Sequence, residues 1–361
     1  MYPLLLPLAW LYDAVTRLRN VLFDCGILQQ QRFPLPVIAI GNLAVGGTGK
    51  TPHTEYLLRL LMGDDEKGVA VLSRGYGRRS KGFRLAGQGA TASELGDEPL
   101  QMWQKFPDAT VAVDADRRNG LAHLLELSGD RRCRIVLLDD AYQHRYVRAG
   151  LYILLTDYSR RYSHDYVLPA GRLRESRRGA RRAQIIVVTK CPSCLSDEER
   201  RDICRELHPR PEQTVLFTTF GYGRLYPLFR SPTGAATAVP ESGHVLVVSG
   251  IARPEPLYEH LSRQGYQIHT LAFPDHHTFS LSDLARVESA FATLPSGSCI
   301  VTTEKDSVRL LPYEQQISDS LRQAFFVQPV EVRFCDPKEE YSFHQKIISY
   351  VTENQRDCRM D

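Results

Sequence analysis

Residues 41–52 read Gly-Asn-Leu-Ala-Val-Gly-Gly-Thr-Gly-Lys-Thr-Pro, and this stretch decides the fold. Before it, Leu35-Pro36-Val37-Ile38-Ala39-Ile40 has the apolar character of a buried strand. After it, residues 51–61 follow the spacing of an amphipathic helix. Strand, glycine-rich turn, Gly-Lys-Thr and helix together make a phosphate-binding loop. Its glycines let backbone N–H groups turn inward around a phosphate, and the helix N-terminus adds positive potential. Ala44, Val45, Gly46, Gly47, Thr48, Gly49, Lys50 and Thr51 are therefore expected to hold ATP. Lys50 would reach the β- and γ-phosphates, and the Thr51 hydroxyl would bind Mg²⁺. The strict pattern has glycine at position 44, where this chain has alanine. That is tolerable if Ala44 keeps φ below zero while Gly46, Gly47 and Gly49 take the unusual angles. The alternative, a glycine-rich turn with a chance Lys-Thr, does not account for the flanking strand and helix.

Outward from the loop, apolar runs recur at 69–73, 110–113, 134–138, 151–155 and 184–189, separated by helical patterns. This is the signature of a parallel sheet covered on both faces. Ligands of such sheets bind beyond the carboxyl ends of the strands. Four clusters lie there. Ser73-Arg74-Gly75-Tyr76-Gly77-Arg78 offers Arg74 and Arg78 for phosphate. Gly96-Asp97-Glu98-Pro99 precedes a helical run, where plain capping by Asp97 is the simplest reading. Asp139-Asp140 ends a strand where a nucleotide kinase keeps a Mg²⁺-directed carboxylate. Two adjacent buried acids repel without a cation, which favours a metal role. Pro169-Ala170-Gly171-Arg172-Leu173-Arg174-Glu175 is strongly basic with one acid.

A length of 361 residues suggests about two domains. The net charge of +3 makes no case for nucleic acid. Arginine is nevertheless concentrated: ten lie between Arg145 and Arg182, against Asp157, Asp165 and Glu175. That run is either a solvated face or a surface for a polyanion or anionic bilayer, and forked guanidinium contacts favour the second. The eight cysteines include a single Cys-x-x-Cys pair, Cys191 and Cys194. No second pair follows at zinc spacing, so free thiols are expected rather than a structural zinc or redox centre. Near the N-terminus, Leu4, Leu8, Leu11, Val15, Leu18 and Leu22 form one helical stripe, accompanied by Trp10, Tyr12, Arg17 and Arg19. The uncharged run is too short to span a bilayer. Such a helix either packs its stripe on the domain or meets a membrane interface, and amphipathicity alone does not distinguish the two.

The second half restarts the pattern. Residues 215–220 and 225–229 suggest extended ribbon rather than core sheet, and 231–234 a loop. Strands at 244–249, 268–273 and 299–302 indicate a smaller α/β domain without a phosphate loop. Asp275-His276-His277 and Thr303-Glu304-Lys305-Asp306 sit at strand ends there, without a third ligand that would make the first a metal site.

The ordered set Gly-Asn-Leu-x-Val-Gly-Gly-Thr-Gly-Lys-Thr-Pro (41–52), Ser-Arg-Gly-Tyr-Gly-Arg (73–78), Gly-Asp-Glu-Pro (96–99), Leu-Asp-Asp-x-x-Gln-His (138–144), Leu-Arg-Glu (173–175), Asp-His-His (275–277) and Thr-Glu-Lys-Asp (303–306) resembles the tetraacyldisaccharide 4′-kinases of lipid A biosynthesis. The phosphate loop alone is generic, but the set in this order over nearly the whole chain is specific. The resemblance implies ATP- and Mg²⁺-dependent phosphorylation of the 4′-hydroxyl of a tetraacylated glucosamine disaccharide 1-phosphate. It places the enzyme peripherally at the cytoplasmic face of the bacterial inner membrane. It implies an α/β fold in which a P-loop NTPase core with a parallel sheet is joined by a β-ribbon linker to a second, smaller α/β domain. The corresponding division is a membrane-associating helix at 1–30, the kinase core at 31–215, the ribbon at 216–235 and the smaller domain at 236–361.

The resemblance also assigns roles. Asp97 and His276 match the family's catalytic pair, a carboxylate that accepts the sugar proton and a histidine that tunes it. Lys50 stabilises the transferring phosphate. Thr51, Asp139, Asp140 and Glu175 are expected around the metal, and Arg74, Arg78, Arg172 and Arg174 around the lipid substrate. Two departures are present. Ala141-Tyr142 replaces the family's more usual Gly-Phe or Gly-Leu, and Arg172 replaces proline, which would alter contacts with the sugar phosphate. The competing readings are a phosphate-loop ATPase or synthetase acting on a soluble substrate, which has no use for an amphipathic N-terminus, and a nucleotide-driven regulatory module, for which no base-reading motif is complete.

Overall fold

The computed structural model describes residues 5–63, 68–229, 243–275 and 277–357. The chain divides into a larger unit, Met1–Phe220 with Val332–Asp361, and a smaller one, Gly221–Glu331. The larger begins with α1 (Leu6–Asp24), β1 (Val37–Asn42), α2 (Lys50–Met62), β2 (Val69–Ser73), β3 (Arg84–Leu85), α3 (Ala92–Leu95), α4 (Asp97–Lys105), β4 (Thr110–Val113) and α5 (Arg117–Leu125). It continues through β5 (Ile135–Leu138), β6 (Leu151–Asp157), β7 (Ile185–Thr189), α6 (Asp197–Leu207) and β8 (Thr214–Tyr222). The smaller unit holds β9 (Tyr226–Pro227), β10 (Gly243–Ser249), α7 (Glu255–Arg263), β11 (Tyr266–Ala272), α8 (Leu281–Ala292), β12 (Cys299–Thr303), α9 (Glu304–Leu310), α10 (Asp319–Ala324) and β13 (Phe325–Gln328). The chain then returns along β14 (Val330–Phe334) and ends in α11 (Pro337–Asp357).

The first sheet has nine strands in the order β14-β8-β7-β6-β1-β5-β2-β4-β3. β1 pairs in parallel with β5 on one side and β6 on the other. β1, β2, β5 and β7 are buried at every residue, which explains their unbroken apolar sequences. Leu121 and Leu124 of α5 pack with Val37, Ala39 and Leu72 on one face of this sheet. Leu154, Ile186 and Val188 gather with Ile203 and Leu207 of α6 in a second cluster. After β1 the chain moves to one side of the sheet, and it crosses to the other only at β6. That reversal of strand order is where open α/β sheets bind ligands.

Two expectations need correction. The stretch 215–220 is core sheet rather than ribbon, because Thr214–Phe217 pair in parallel with Ile185–Val188 of β7. The C-terminal residues, expected in the smaller domain, fold with the larger unit. The reason is a set of polar anchors on α11. The Tyr350 hydroxyl donates to the Val37 carbonyl at 3.0 Å and accepts from the Val37 amide at 3.1 Å, completing the start of β1. Glu340 accepts from the Tyr56 hydroxyl of α2 at 2.5 Å.

The smaller unit is a five-stranded sheet, β11-β10-β12-β13-β9, parallel except for β9. Its core gathers Val248, Ile300, Phe325 and Val327 with Phe279 and Val287. His277 stacks on Phe273 and lies 3.0 Å from Asp283. His276 and residues 231–234 lie outside the described residues.

Candidate active site

The phosphate loop follows Asn42 at the carboxyl end of β1, and its own chemistry sets its shape. The Asn42 side chain donates to the Thr48 hydroxyl at 2.7 Å, tying the start of the loop to its end. The Thr189 hydroxyl, at the end of β7, donates to the Thr48 carbonyl at 2.9 Å. On the other side the segment 172–174 runs antiparallel to the loop. Ala44 bridges Leu173, Val45 donates its amide to the Arg172 carbonyl at 2.8 Å, and Arg174 donates its amide to the Leu43 carbonyl at 2.7 Å. Ala44 is not among the residues with positive φ, which is why alanine is accepted there. Gly46 and Gly49 do take left-handed angles, φ 114° and 84°; Gly47, expected to, does not. Gly49 also lacks room for a side chain, since a Cβ there would lie 2.4 Å from the Phe220 ring.

His53, one turn into α2, braces the same glycine. Its Nδ1 lies 2.7 Å from the Gly49 carbonyl, and its Nε2 lies 3.0 Å from the Thr218 hydroxyl. The carbonyl can only accept, so Nδ1 carries the proton and Nε2 accepts from Thr218. Burial lowers the His53 pKa to about 4, outweighing the Gly49 contact, so the ring stays neutral.

Asp139 and Asp140 follow β5 and split into two environments. Asp139 is buried and accepts from the Thr54 hydroxyl at 3.2 Å and the Ser73 hydroxyl at 3.1 Å. Burial first, and the neighbouring Asp140 second, raise its pKa. Asp140 sits at φ 46°, a strained angle for a side-chain-bearing residue. It receives Arg174 Nη1 at 2.9 and 3.1 Å and lies 3.8 Å from Lys50 Nζ. Burial opposes its charge, yet Lys50 and Arg174 together hold its pKa below the ordinary value. The two adjacent carboxyls are thus shifted in opposite directions, Asp139 by burial and its neighbour, Asp140 by its two cations.

Buried Arg117 stands behind them, donating to the Asp139 carbonyl at 3.1 Å and the Asp114 carbonyl at 2.9 Å. Burial lowers its pKa to about 10 against the pull of Asp139 and Asp140. Sequence reasoning passed over Arg117, Thr54 and His53. The signal available was a charged or polar residue on a helix face that otherwise packs inward.

The remaining expected residues separate. Asp97 heads α4, with Gly96 and not Asp97 in the cap position. A Cβ at Gly96 would lie 2.8 Å from the Tyr76 carbonyl, so this turn packs tightly on the Arg74–Arg78 loop. Gln101 and Lys105 of α4 bond both oxygens of Glu55 in α2, at 2.7 and 2.5 Å. Asp97 and Lys50 thus begin two helices that share one buried carboxylate. Arg74 is exposed. Arg78 is not a free phosphate ligand: its guanidinium donates to the Gly82 carbonyl at 2.8 Å and reaches Val113 and Ser80 at 3.4 Å, bracing its own loop. Arg172 is exposed, and its carbonyl rather than its side chain contacts the loop.

Glu175, expected around the metal, is engaged by neighbouring side chains instead. Arg182 grips it at 2.6 and 2.9 Å, Asn20 donates at 2.8 Å and Gln143 at 3.2 Å. A carboxylate offers about four lone-pair sites, and four donors fill them. Among the described residues no three acid, imidazole or thiol groups converge as a metal cluster. Cys191 and Cys194 are free thiols. The hydrogen bond that Cys191 donates to Cys335, with burial, pushes the Cys191 thiol up.

α1 is attached to this site by its polar face. Tyr12 donates to the Arg174 carbonyl at 2.8 Å, Asn20 to Glu175, and Arg19 to the Gln143 carbonyl at 3.1 Å. The apolar stripe points the other way: Leu8, Leu11, Val15 and Leu18 are all more than half exposed, as is Trp10. No described helix is long and apolar enough to cross a membrane.

A glycine-rich loop between a buried parallel strand and a helix opening with Lys-Thr, facing a carboxylate pair, defines a phosphate-loop kinase. The family model of tetraacyldisaccharide-1-P 4′-kinase, LpxK, matches residues 1–350. The chain is 44% identical to the tetraacyldisaccharide 4′-kinase of Phocaeicola vulgatus over 355 residues, covering 98% of this chain and 96% of that protein. It is 46% identical to the enzyme of that name from Bacteroides thetaiotaomicron over 362 residues, covering 98% and 94%. The crystal structure of an "apo" form of LpxK from Aquifex aeolicus in complex with ATP superposes with a TM-score of 0.72 at 28% identity, over 96% of this chain and 98% of that one. The chain belongs to the tetraacyldisaccharide 4′-kinase family.

Proposed function

We propose that this enzyme transfers the γ-phosphate of ATP to the 4′-hydroxyl of a tetraacylated glucosamine disaccharide 1-phosphate, giving the 4′-phosphorylated lipid A precursor. The observation that carries this reading is Lys50 at the head of α2, 3.8 Å from Asp140, on a chain matched to the kinase family over residues 1–350. The loop amides and Lys50 bind the triphosphate and oppose its charge. Asp139, Asp140 and the Thr51 hydroxyl are hard oxygen donors of the kind Mg²⁺ prefers, and the ion is commonly held by one or two carboxylates plus nucleotide phosphates. Bound there, Mg²⁺ neutralises charge on the phosphate oxygens. Arg174 fixes Asp140 in its ionised form, and Thr54 and Ser73 orient Asp139.

Asp97 is the proposed base for the sugar hydroxyl, with His276 tuning it. In support, the helix carrying Asp97 is cross-linked through Glu55 to the helix carrying Lys50. Arg74 is retained as a substrate contact because it is exposed beside that turn. The outward stripe of α1 is proposed to rest on the inner membrane, where the acyl chains of the acceptor reside. A helix that docks by its polar face and exposes its leucines inverts the usual arrangement of a surface helix.

Purified enzyme incubated with γ-labelled ATP and the acylated disaccharide monophosphate tests the reading. Label should pass to the lipid, and Lys50→Met should abolish transfer. Turnover of ATP that ignores the lipid acceptor would defeat it. Asp97→Ala should lower kcat by roughly 10²–10⁴ while ATP binding persists. An unchanged kcat would remove Asp97 from the chemistry.

A further inference from the structure

One cavity of the larger unit lies away from the phosphate loop. A cavity of about 900 Å³ is lined by Val37 at the start of β1, by Gly150 and Gln184 just before β6 and β7, by Phe23–Leu28 residues of the α1 terminus, and by Tyr350 of α11. It therefore lies at the amino ends of strands whose carboxyl ends form the active site, about 17 Å of strand away.

Four arginines line this cavity: Arg32, Arg145, Arg148 and Arg182. Two are committed elsewhere. Arg145 pairs with Asp24 at 2.6 Å, and Arg182 with Glu175 at 2.6 Å. Asp24, the one carboxylate in the lining, is thereby taken. Arg32 and Arg148 are different. Residues 29–32 and 145–148 run side by side: Gln31 and Val147 form a parallel bridge, Gln31 donates its amide to the Tyr146 carbonyl at 2.8 Å, and Arg148 donates its amide to the Gln31 carbonyl at 2.9 Å. Arg32 and Arg148 follow Gln31 and Val147 directly, so two exposed guanidiniums are neighbours across the pairing. Like charges placed side by side destabilise the pairing unless an anion lies between them. Among the described residues neither side chain has an ion pair or hydrogen bond. Burial raises the pKa of Tyr152 in the same lining, against the weaker opposing pull of Arg182, Arg145 and Arg148.

We infer that this cavity is a binding site for a phosphate-bearing anion, seated between Arg32 and Arg148, separate from the ATP and acceptor sites. Planar guanidinium forks match a phosphate group, and the volume leaves room for an organic substituent on it. The chemistry is shared by an anionic phospholipid headgroup and by a free phosphate compound. The lining includes the end of α1, whose exposed stripe is the proposed membrane face, so a headgroup is within the site's reach.

The test compares the full-length enzyme with the double variant Arg32→Gln/Arg148→Gln. Both residues are exposed, so the fold should survive, and turnover of detergent-dispersed acceptor should be unchanged. A charge-matched control, Arg79→Gln/Arg84→Gln, removes two exposed arginines elsewhere. One arm titrates glycerol 3-phosphate by calorimetry with the phosphate loop saturated by ADP. The other measures sedimentation with phosphatidylcholine vesicles with and without phosphatidylglycerol. Loss of glycerol 3-phosphate binding in the Arg32/Arg148 variant alone supports a site for free phosphate compounds. A drop of about 30-fold in binding to phosphatidylglycerol vesicles, in that variant and not the control, supports a headgroup site. Equal behaviour of the two double variants in both arms, or no effect in either, overturns the inference.

Discussion

The Tyr12 hydroxyl donates to the Arg174 carbonyl at 2.8 Å, and the Arg174 guanidinium holds Asp140. One residue thus links the N-terminal helix to the acid that faces Lys50. Tyr12→Phe deletes only the hydroxyl, and a hydrogen bond of this kind contributes about 1 kcal/mol. The expected result is a several-fold rise in KM for the lipid acceptor with KM for ATP unchanged. Equal changes in both constants would show that the bond serves general stability.

The outward stripe makes a second prediction. Leu11 and Leu18 are 64% and 61% exposed, so Leu11→Asp/Leu18→Asp removes little packing. Thermal stability should shift little, because surface changes of this sort fall within about 0.5 kcal/mol each. Vesicle binding, and turnover of acceptor embedded in vesicles, should both fall. Full activity on vesicle-embedded acceptor would show that the stripe has no membrane role.

Glu175 separates a structural from a metal role. Glu175→Gln leaves the Arg182 guanidinium half-buried without its counter-charge, a change that costs about 3–5 kcal/mol when a buried pair is broken. Melting temperature should drop, while the Mg²⁺ dependence of the folded fraction stays as in the parent. A shifted Mg²⁺ optimum with intact stability would restore the ligand role.

His53 gives the pH dependence. Its ring takes a proton near pH 6.5 when unfolded but only near pH 4 when folded. Between those values the unfolded chain binds more protons, so stability present above pH 6.5 is lost as pH falls toward 4, by up to about 3 kcal/mol. Urea unfolding of the parent and of His53→Asn, followed from pH 7 to pH 4.5, should show a shallower loss in the variant. Identical slopes would exclude His53 as the titrating group.

How much of this was legible from residue order depends on whether local pattern or distant pairing decides. β1, β2, β4, β5, β6 and β7 stood out because strands covered on both faces carry nearly unbroken apolar runs. β8 did not: its Thr-Thr-Phe-Gly-Tyr end mimics a solvated ribbon, and its burial comes from pairing with β7. The return of α11 was invisible because Tyr350 and Val37 are 313 positions apart. At the site, the phosphate loop and Asp139-Asp140 were readable as motifs, since their spacing is the chemistry. Arg78 and Glu175 belong to equally clear motifs, yet each is consumed by partners that only the folded chain supplies. Arg117 and His53 carry no motif at all, and their roles exist only once α5 and α2 are packed.

The hydroxyl of Tyr350 sealing Val37 has a consequence for biosynthesis. The central strand of the kinase sheet leaves the ribosome long before α11, yet hydrogen bonds at its start are supplied by that helix. The nascent polypeptide therefore carries an open seam through translation of the entire intervening region, and closes it only after α11 emerges. A message cut short within α11 would yield a chain with every catalytic motif and an unsealed centre, a natural substrate for the cell's proteases.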